Sequence, residues 1–110
     1  MKVHEITDQN FEVEVLKAEL PVIVDFWAQW CAPCLRLGPI IDELAKDHRD
    51  TLKVTKLNVD ENQETPRSFG VQGIPTIIFF KKGKEAKRIV GAREKTELEK
   101  ELGLNGALEV

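Results

Sequence analysis

The sequence predicts an α/β fold with a mixed sheet, and three features carry that prediction. Val22–Trp27 (VIVDFW) is a nearly continuous apolar run, as expected for a central strand covered on both faces. Leu37, Ile40, Ile41, Leu44 and Ala45 recur at three- and four-residue intervals, the period of a helix that buries one face. Thr76–Lys81 and Glu85–Val90 are strand-like runs joined by a tight turn at Lys82-Gly83, the spacing of an antiparallel hairpin. The element order reads β-α-β-α-β-α-β-β-α. Strand–helix–strand units are expected to cross over right-handed into parallel sheet, and the hairpin to add antiparallel sheet. The result is a three-layer α/β/α sandwich, one domain over residues 1–110.

Taken in order, Lys2–Ile6 reads as a short edge strand. Asp8 is the expected N-cap of a helix from Gln9 to about Ala18, with Thr7 as the alternative cap. Phe11, Val15 and Leu16 supply its apolar face, and Pro21 closes this part of the chain. After Val22–Trp27 and a loop at Ala28–Trp30, a helix runs from about Cys31 or Ala32 to His48. Pro39 lies inside it and should bend it rather than end it, because the apolar repeat resumes at once. Leu52–Val59 alternates as a strand but slips near Thr55, which suggests an irregularity there. Asn58–Asn62 is an acidic turn. A short helix, Gln63–Phe69, carries Pro66 in its first turn and ends at Gly70. Val71–Pro75 leads into Thr76–Lys81. A last helix spans Arg93–Leu102, with Leu98 and Leu102 inward, an unhelpful Glu97–Glu101 pair, and Gly103 as its stop. The tail Leu104–Val110 keeps apolar residues that could pack or fray.

Composition narrows the function classes. Sixteen basic and nineteen acidic residues leave a net charge of -3, which argues against the basic field that nucleic-acid binding requires. Phe79, Phe80 and Trp27 read as core rather than as a stacking platform, and Lys81-Lys82-Gly83-Lys84 as a solvated hairpin tip. No run is long and apolar enough to span a bilayer, and MKVHEITDQN lacks the apolar stretch of a secretory signal. A cytoplasmic monomer with no resident cofactor or metal is therefore expected. Two cysteines supply only two ligands where a closed zinc site needs four, and His4 and His48 are expected far from them.

The two cysteines, Cys31 and Cys34, are three positions apart, so a bond between them restrains the unfolded chain little. Such a pair in a reducing compartment points to chemistry rather than architecture. Thiolate is the reactive form, and a free cysteine titrates near about 8.5. At a helix start, unpaired N–H groups and the positive end of the dipole favour the anion. Cys31 is thus expected to be the exposed attacking thiol, and Cys34, more covered, the resolving one. Ala32-Pro33 sets the geometry between them. Cys34 must lose a proton. Asp25, a carboxylate in an otherwise apolar strand, is the candidate base, its pKa raised by burial, with Lys56 as charge partner.

WAQWCAPC, Asp25, GIPT at Gly73–Thr76, Gly83 and Gly91 together resemble the thioredoxin family, from about Phe11 to Leu102. That resemblance implies the thioredoxin fold and a protein-disulfide reductase that serves as a general electron donor. It implies a redox disulfide Cys31–Cys34, Asp25 as the buried acid beside Lys56, and a cis Pro75 facing the dithiol. Trp30, Ala32, Pro33, Gly73, Ile74, Gly91 and Ala92 match the family's docking surface for an extended substrate segment, with Trp27 as a packing residue. Implied partners are oxidised proteins and an NADPH-dependent flavin enzyme, thioredoxin reductase. Two departures stand out. Ala32 replaces the usual Gly, and Leu35 a basic or polar residue. Rival readings are a scaffold subunit built on the same fold, or a dithiol that works as oxidant or isomerase.

Overall fold

The computed structural model describes residues 3–104. Its sheet has five strands in the order β1-β3-β2-β4-β5. These are β1 (His4–Glu5), β2 (Val22–Trp27), β3 (Lys53–Asn58), β4 (Thr76–Lys81) and β5 (Lys84–Val90). Three α-helices flank it, α1 (Ala32–Asp47), α2 (Glu64–Ser68) and α3 (Lys95–Leu102), together with a wider helical turn at Glu12–Leu16. This is the three-layer mixed architecture the sequence predicts.

Alternation along β2 divides the interior. Ile23 faces Ile77, Phe79, Leu37, Ile41, Leu44 and Leu98, under α1 and α3. Val22, Val24 and Phe26 face Phe11, Val15, Leu57, Ile78 and Phe80 on the other side. Each fully buried side chain of this size contributes roughly 1.5–3 kcal/mol relative to exposure. Phe11, Phe69 and Phe80 meet in tilted and edge-on contacts of 5.3 to 5.7 Å, which fixes α2 and the Glu12–Leu16 segment to that face. With Phe79 and Phe80 buried, neither is a stacking platform.

β2 and β3 run parallel, as expected, but β4 runs antiparallel to β2. The β3–α2–β4 unit is therefore not a parallel crossover. α2 itself has five residues, about 7.5 Å of helix, and does not run the length of a six-residue strand, about 20 Å. The chain turns at the end of β3 and enters β4 from the same end.

Several boundaries shift. The first helix shrinks to Glu12–Leu16, wound wider than an α-helix, with the Lys17 N–H donating to Glu12 O at 2.9 Å. Asp8 does not cap it. Nor does Thr7: the residue before the helix is Phe11, which makes no side-chain cap bond, and Thr7 instead closes the preceding turn, where the Asn10 N–H donates to Thr7 Oγ1 and the Thr7 N–H to Asn10 Oδ1. Asp8 instead accepts the N–H groups of Glu64 (3.1 Å) and Thr65 (2.9 Å), satisfying the start of α2 from across the fold. The edge strand is reduced to His4–Glu5, and Lys2 lies outside the described residues, as does the tail beyond Leu104. α1 continues through Pro39 to Asp47. β3 pairs without interruption, so Thr55 marks no irregularity. Its hydroxyl is buried and donates to Ile23 O at 2.9 Å. The break in register lies between β4 and β5, at Phe79/Phe80. α3 begins at Lys95 because Glu94 is extended and caps it, with Glu97 reaching back to the Glu94 N–H; Glu101 pairs with Arg93 rather than opposing Glu97. Lys95 and His48 join α3 to α1 through Asp47 and Glu99.

The hairpin turn uses positive φ at Lys82 (51°) and Gly83 (78°). A Cβ on Gly83 would lie 2.8 Å from Leu16 O, so only glycine lets the turn approach that backbone. Asp8→Ala should cost about 1 kcal/mol of unfolding free energy at pH 7, read from urea midpoints. Burial pushes the Asp8 carboxyl up, but its bonds to Thr65 and Glu64 prevail and hold it below its usual value. The deficit should therefore be full above the ordinary carboxylate range and disappear as pH falls through the folded value.

Candidate active site

The chain leaves β2 and, after the Ala28–Trp30 loop, enters α1 at one end of the sheet. Cys31 is the N-cap of α1 with extended backbone (φ -95°, ψ 103°), and its Sγ accepts the N–H of Cys34 at 3.2 Å. Ala32 and Pro33 form the first helical positions, where the N–H that proline lacks would be unpartnered anyway. Cys31 and Cys34 are disulfide-bonded, with Cα atoms 5.2 Å apart. The expected contrast in cover is absent. Cys31 is 4% and Cys34 3% exposed, because Ala28, Trp27, Val59 and Ile74 close around both sulfurs. Trp30 and Leu35 are the exposed apolar groups nearby in sequence, at 69% and 54%.

The start of β4 faces this pair. Ile74 O lies 3.8 Å from Cys31 Sγ, and the Ile74–Pro75 bond is cis. Pro75 O accepts the Gly91 N–H at 2.8 Å, which binds the end of β5 to the same corner. The Thr76 hydroxyl donates to Gly73 O. Gly73 and Ala92 are exposed, and Ile74 and Gly91 half-buried. A groove of about 350 Å³ runs alongside, lined by Trp30, Val59, Val71, Gln72, Gly73 and Ile74. The Trp30 indole N–H donates to Asp60 Oδ2 at 2.9 Å, so the rim of this groove is fixed by a residue of the acidic turn. A larger groove, about 780 Å³ and lined by His4, Leu20, Arg49 and Lys53 among others, sits at the opposite end of β2 and β3, away from the sulfurs.

Asp25 is 3% exposed and lies on the α1 face of β2, between Lys56 of β3 and Ile77 of β4 in register. Burial pushes its pKa up to about 7, and the charge of Lys56 pulls the other way. Its Oδ1 has no hydrogen-bond partner. Lys56 does not bond to it; the ammonium sits over the Trp27 ring, 5.0 Å from the centroid. His48 is hydrogen-bonded to Glu99 at the far end of α1, and among the described residues no cluster of three or more His, Cys, Asp or Glu could hold a metal ion. Among those residues, too, no helix is long and apolar enough to cross a membrane.

The fold thus gathers Cys31, Cys34, Ala32, Pro33, Trp30, Gly73, Ile74, Pro75, Gly91 and Ala92 at one corner, with Asp25 and Lys56 in the sheet beneath α1. Sequence reasoning missed Asp60 and Val59, whose neighbours lie far along the chain. It also gave Trp27 a packing role only. An indole two residues from a buried acid on the same strand face was the available signal.

A sequence profile described as Thioredoxin matches residues 2–103. The chain belongs to the thioredoxin family. It is 53% identical over 93 residues to a thioredoxin of Pseudomonas aeruginosa, covering 84% of this chain and 86% of that one. It is 51% identical over 96 residues to one of Rickettsia typhi, covering 87% and 91%. Against a thioredoxin of Alicyclobacillus acidocaldarius the identity is 46% over 97 residues, covering 88% and 91%. The architecture above is the thioredoxin fold, and with the Cys31–Cys34 pair it makes this chain a thioredoxin-type protein-disulfide reductase with a redox-active disulfide.

A buried acid whose pKa is raised on folding stabilises the protein only while it stays protonated. Unfolded, Asp25 ionises near 3.8; folded, near about 7. Stability should therefore fall as pH rises between these values and then level off, the loss being on the order of 4 kcal/mol. Asp25→Asn should be more stable than the parent above pH 7 and lose that advantage toward pH 4, as denaturant midpoints across that range would reveal.

Proposed function

We propose that Cys31 attacks substrate disulfides, that Cys34 resolves the mixed disulfide, and that Asp25 takes the proton of Cys34. The observation that carries this is the Cys34 N–H aimed at Cys31 Sγ across the first turn of α1. In the reduced protein the same N–H would stabilise a Cys31 thiolate, with the helix dipole behind it. That thiolate attacks one sulfur of the substrate; the other leaves as a thiolate and takes up a proton. Asp25 then accepts the Cys34 proton, and the Cys34 thiolate attacks Cys31 Sγ. The remaining substrate sulfur departs, two electrons have moved to the substrate, and the Cys31–Cys34 bond is restored.

Substrates are oxidised proteins, docked as extended segments against Trp30, Gly73, Ile74, Gly91 and Ala92, with Ala32, Pro33 and Pro75 shaping the approach. The exposure of Trp30, Gly73 and Ala92 beside buried sulfurs supports this reading. An NADPH-dependent thioredoxin reductase returns the electrons. The chain acts as a single domain over residues 1–110, a cytoplasmic monomer in electron transport for redox homeostasis. The profile match over 2–103 supports the domain reading.

Insulin reduction coupled to dithiothreitol should vanish in Cys31→Ser. Cys34→Ser should accumulate a mixed disulfide with the substrate, visible by mass. The resolving step needs ionised Asp25, so its rate should rise with pH through about 7, and Asp25→Asn should slow it about 10²-fold and flatten that rise. A flat profile in the parent would remove Asp25 from the role.

A further inference from the structure

Lys56 has two neighbours on its own face of the sheet. In the β2–β3 register it stands opposite Asp25, and Trp27 lies two residues further along β2 on that same face. The ammonium has gone to the ring. Lys56 Nζ is 5.0 Å from the Trp27 centroid, within the cation–π range of about 6 Å. Toward Asp25 it acts through charge alone, with no hydrogen bond, and Asp25 Oδ1 stays buried and unpartnered. A carboxylate is seldom fully buried without a partner, yet Asp25 makes no ion pair with the lysine opposite it in register. Something diverts the lysine.

We propose that the Trp27 indole is a positioning group, which captures the Lys56 ammonium and keeps it from closing an ion pair with Asp25. This rests on the reading of Asp25 as the base for Cys34. The consequence follows from charge. A closed pair would make Asp25 a weak base that has already lost its proton. A lysine wholly in solvent would leave the carboxyl protonated at neutral pH. The ring holds the charge between these limits. Trp27 Nε1 is itself buried without a hydrogen-bond partner, so no such bond fixes the ring. It is oriented by Lys56 on its face and by packing against Cys31 and Cys34. The charge that acts on Asp25 is that of Lys56 from β3; the β4 residue in register is Ile77.

The test is a side-chain ¹³C NMR titration of Asp25 in the reduced protein, assigned with Asp25→Asn. Trp27→Phe keeps a ring and should leave the titration close to that of the parent. Trp27→Leu frees the lysine and should lower the Asp25 pKa by roughly one to three pH units. In a Lys56→Met background the same change at Trp27 should do nothing. An unchanged or higher value in Trp27→Leu, or an equal drop without Lys56, overturns the proposal. Should Trp27→Leu fail to fold, the unsubstituted protein still decides. The Lys56 Hε protons must be shifted upfield by the ring, and random-coil shifts there would also overturn it. If Asp25→Asn leaves the resolving step unaltered, the base reading fails separately, while the titration still reports on Trp27 and Lys56.

Discussion

Both edges of β2 are taken, by β3 in parallel and by β4 in the opposite sense, and both faces lie under packed side chains. No group on this strand reaches bulk water until Trp27 at its end. That enclosure makes Asp25 a poor anion and pushes its pKa up to about 7. It also fixes the exit of the strand rigidly, and the exit is where Cys31 caps α1. The chemistry at the corner depends on the insulation of the middle.

The second constraint is the direction of β4. β4 runs antiparallel to β2, so it starts at the end where α1 starts. Pro75 and Ile74 therefore meet the sulfurs, and Gly91 follows through its bond to Pro75 O. Asp8 supports this arrangement from the far side, because it holds the first N–H groups of α2 in place. An ordinary parallel crossover would have put the Gly73–Thr76 segment at the opposite end, out of reach of the dithiol.

The departures in the active-site segment fall on the surface. Ala32 and Leu35 are exposed, whereas Asp25 is buried. A separate cluster of charges, Lys95 and Glu99 with His48 and Asp47, lies at the other end of α1 and joins two helices.

The sequence by itself determined roughly where the strands lie, because their apolar runs are short and bounded by proline, glycine and charged turns, and it determined the cysteine pair, its proline and its buried acid, because their spacing is local. Its family signature also named Gly73–Thr76 and Gly91 as parts of the site. What only the tertiary structure decided is every relation between distant segments. Asp8 caps a helix fifty-odd positions away, Thr55 finds Ile23 O, both sulfurs are covered by Val59 and Ile74, and Lys56 chooses an indole over a carboxylate. These follow from which strands lie side by side and which way they run. Hydrogen bonds and charge contacts act over a few ångströms, and a linear pattern records no distance between residues far apart in the chain.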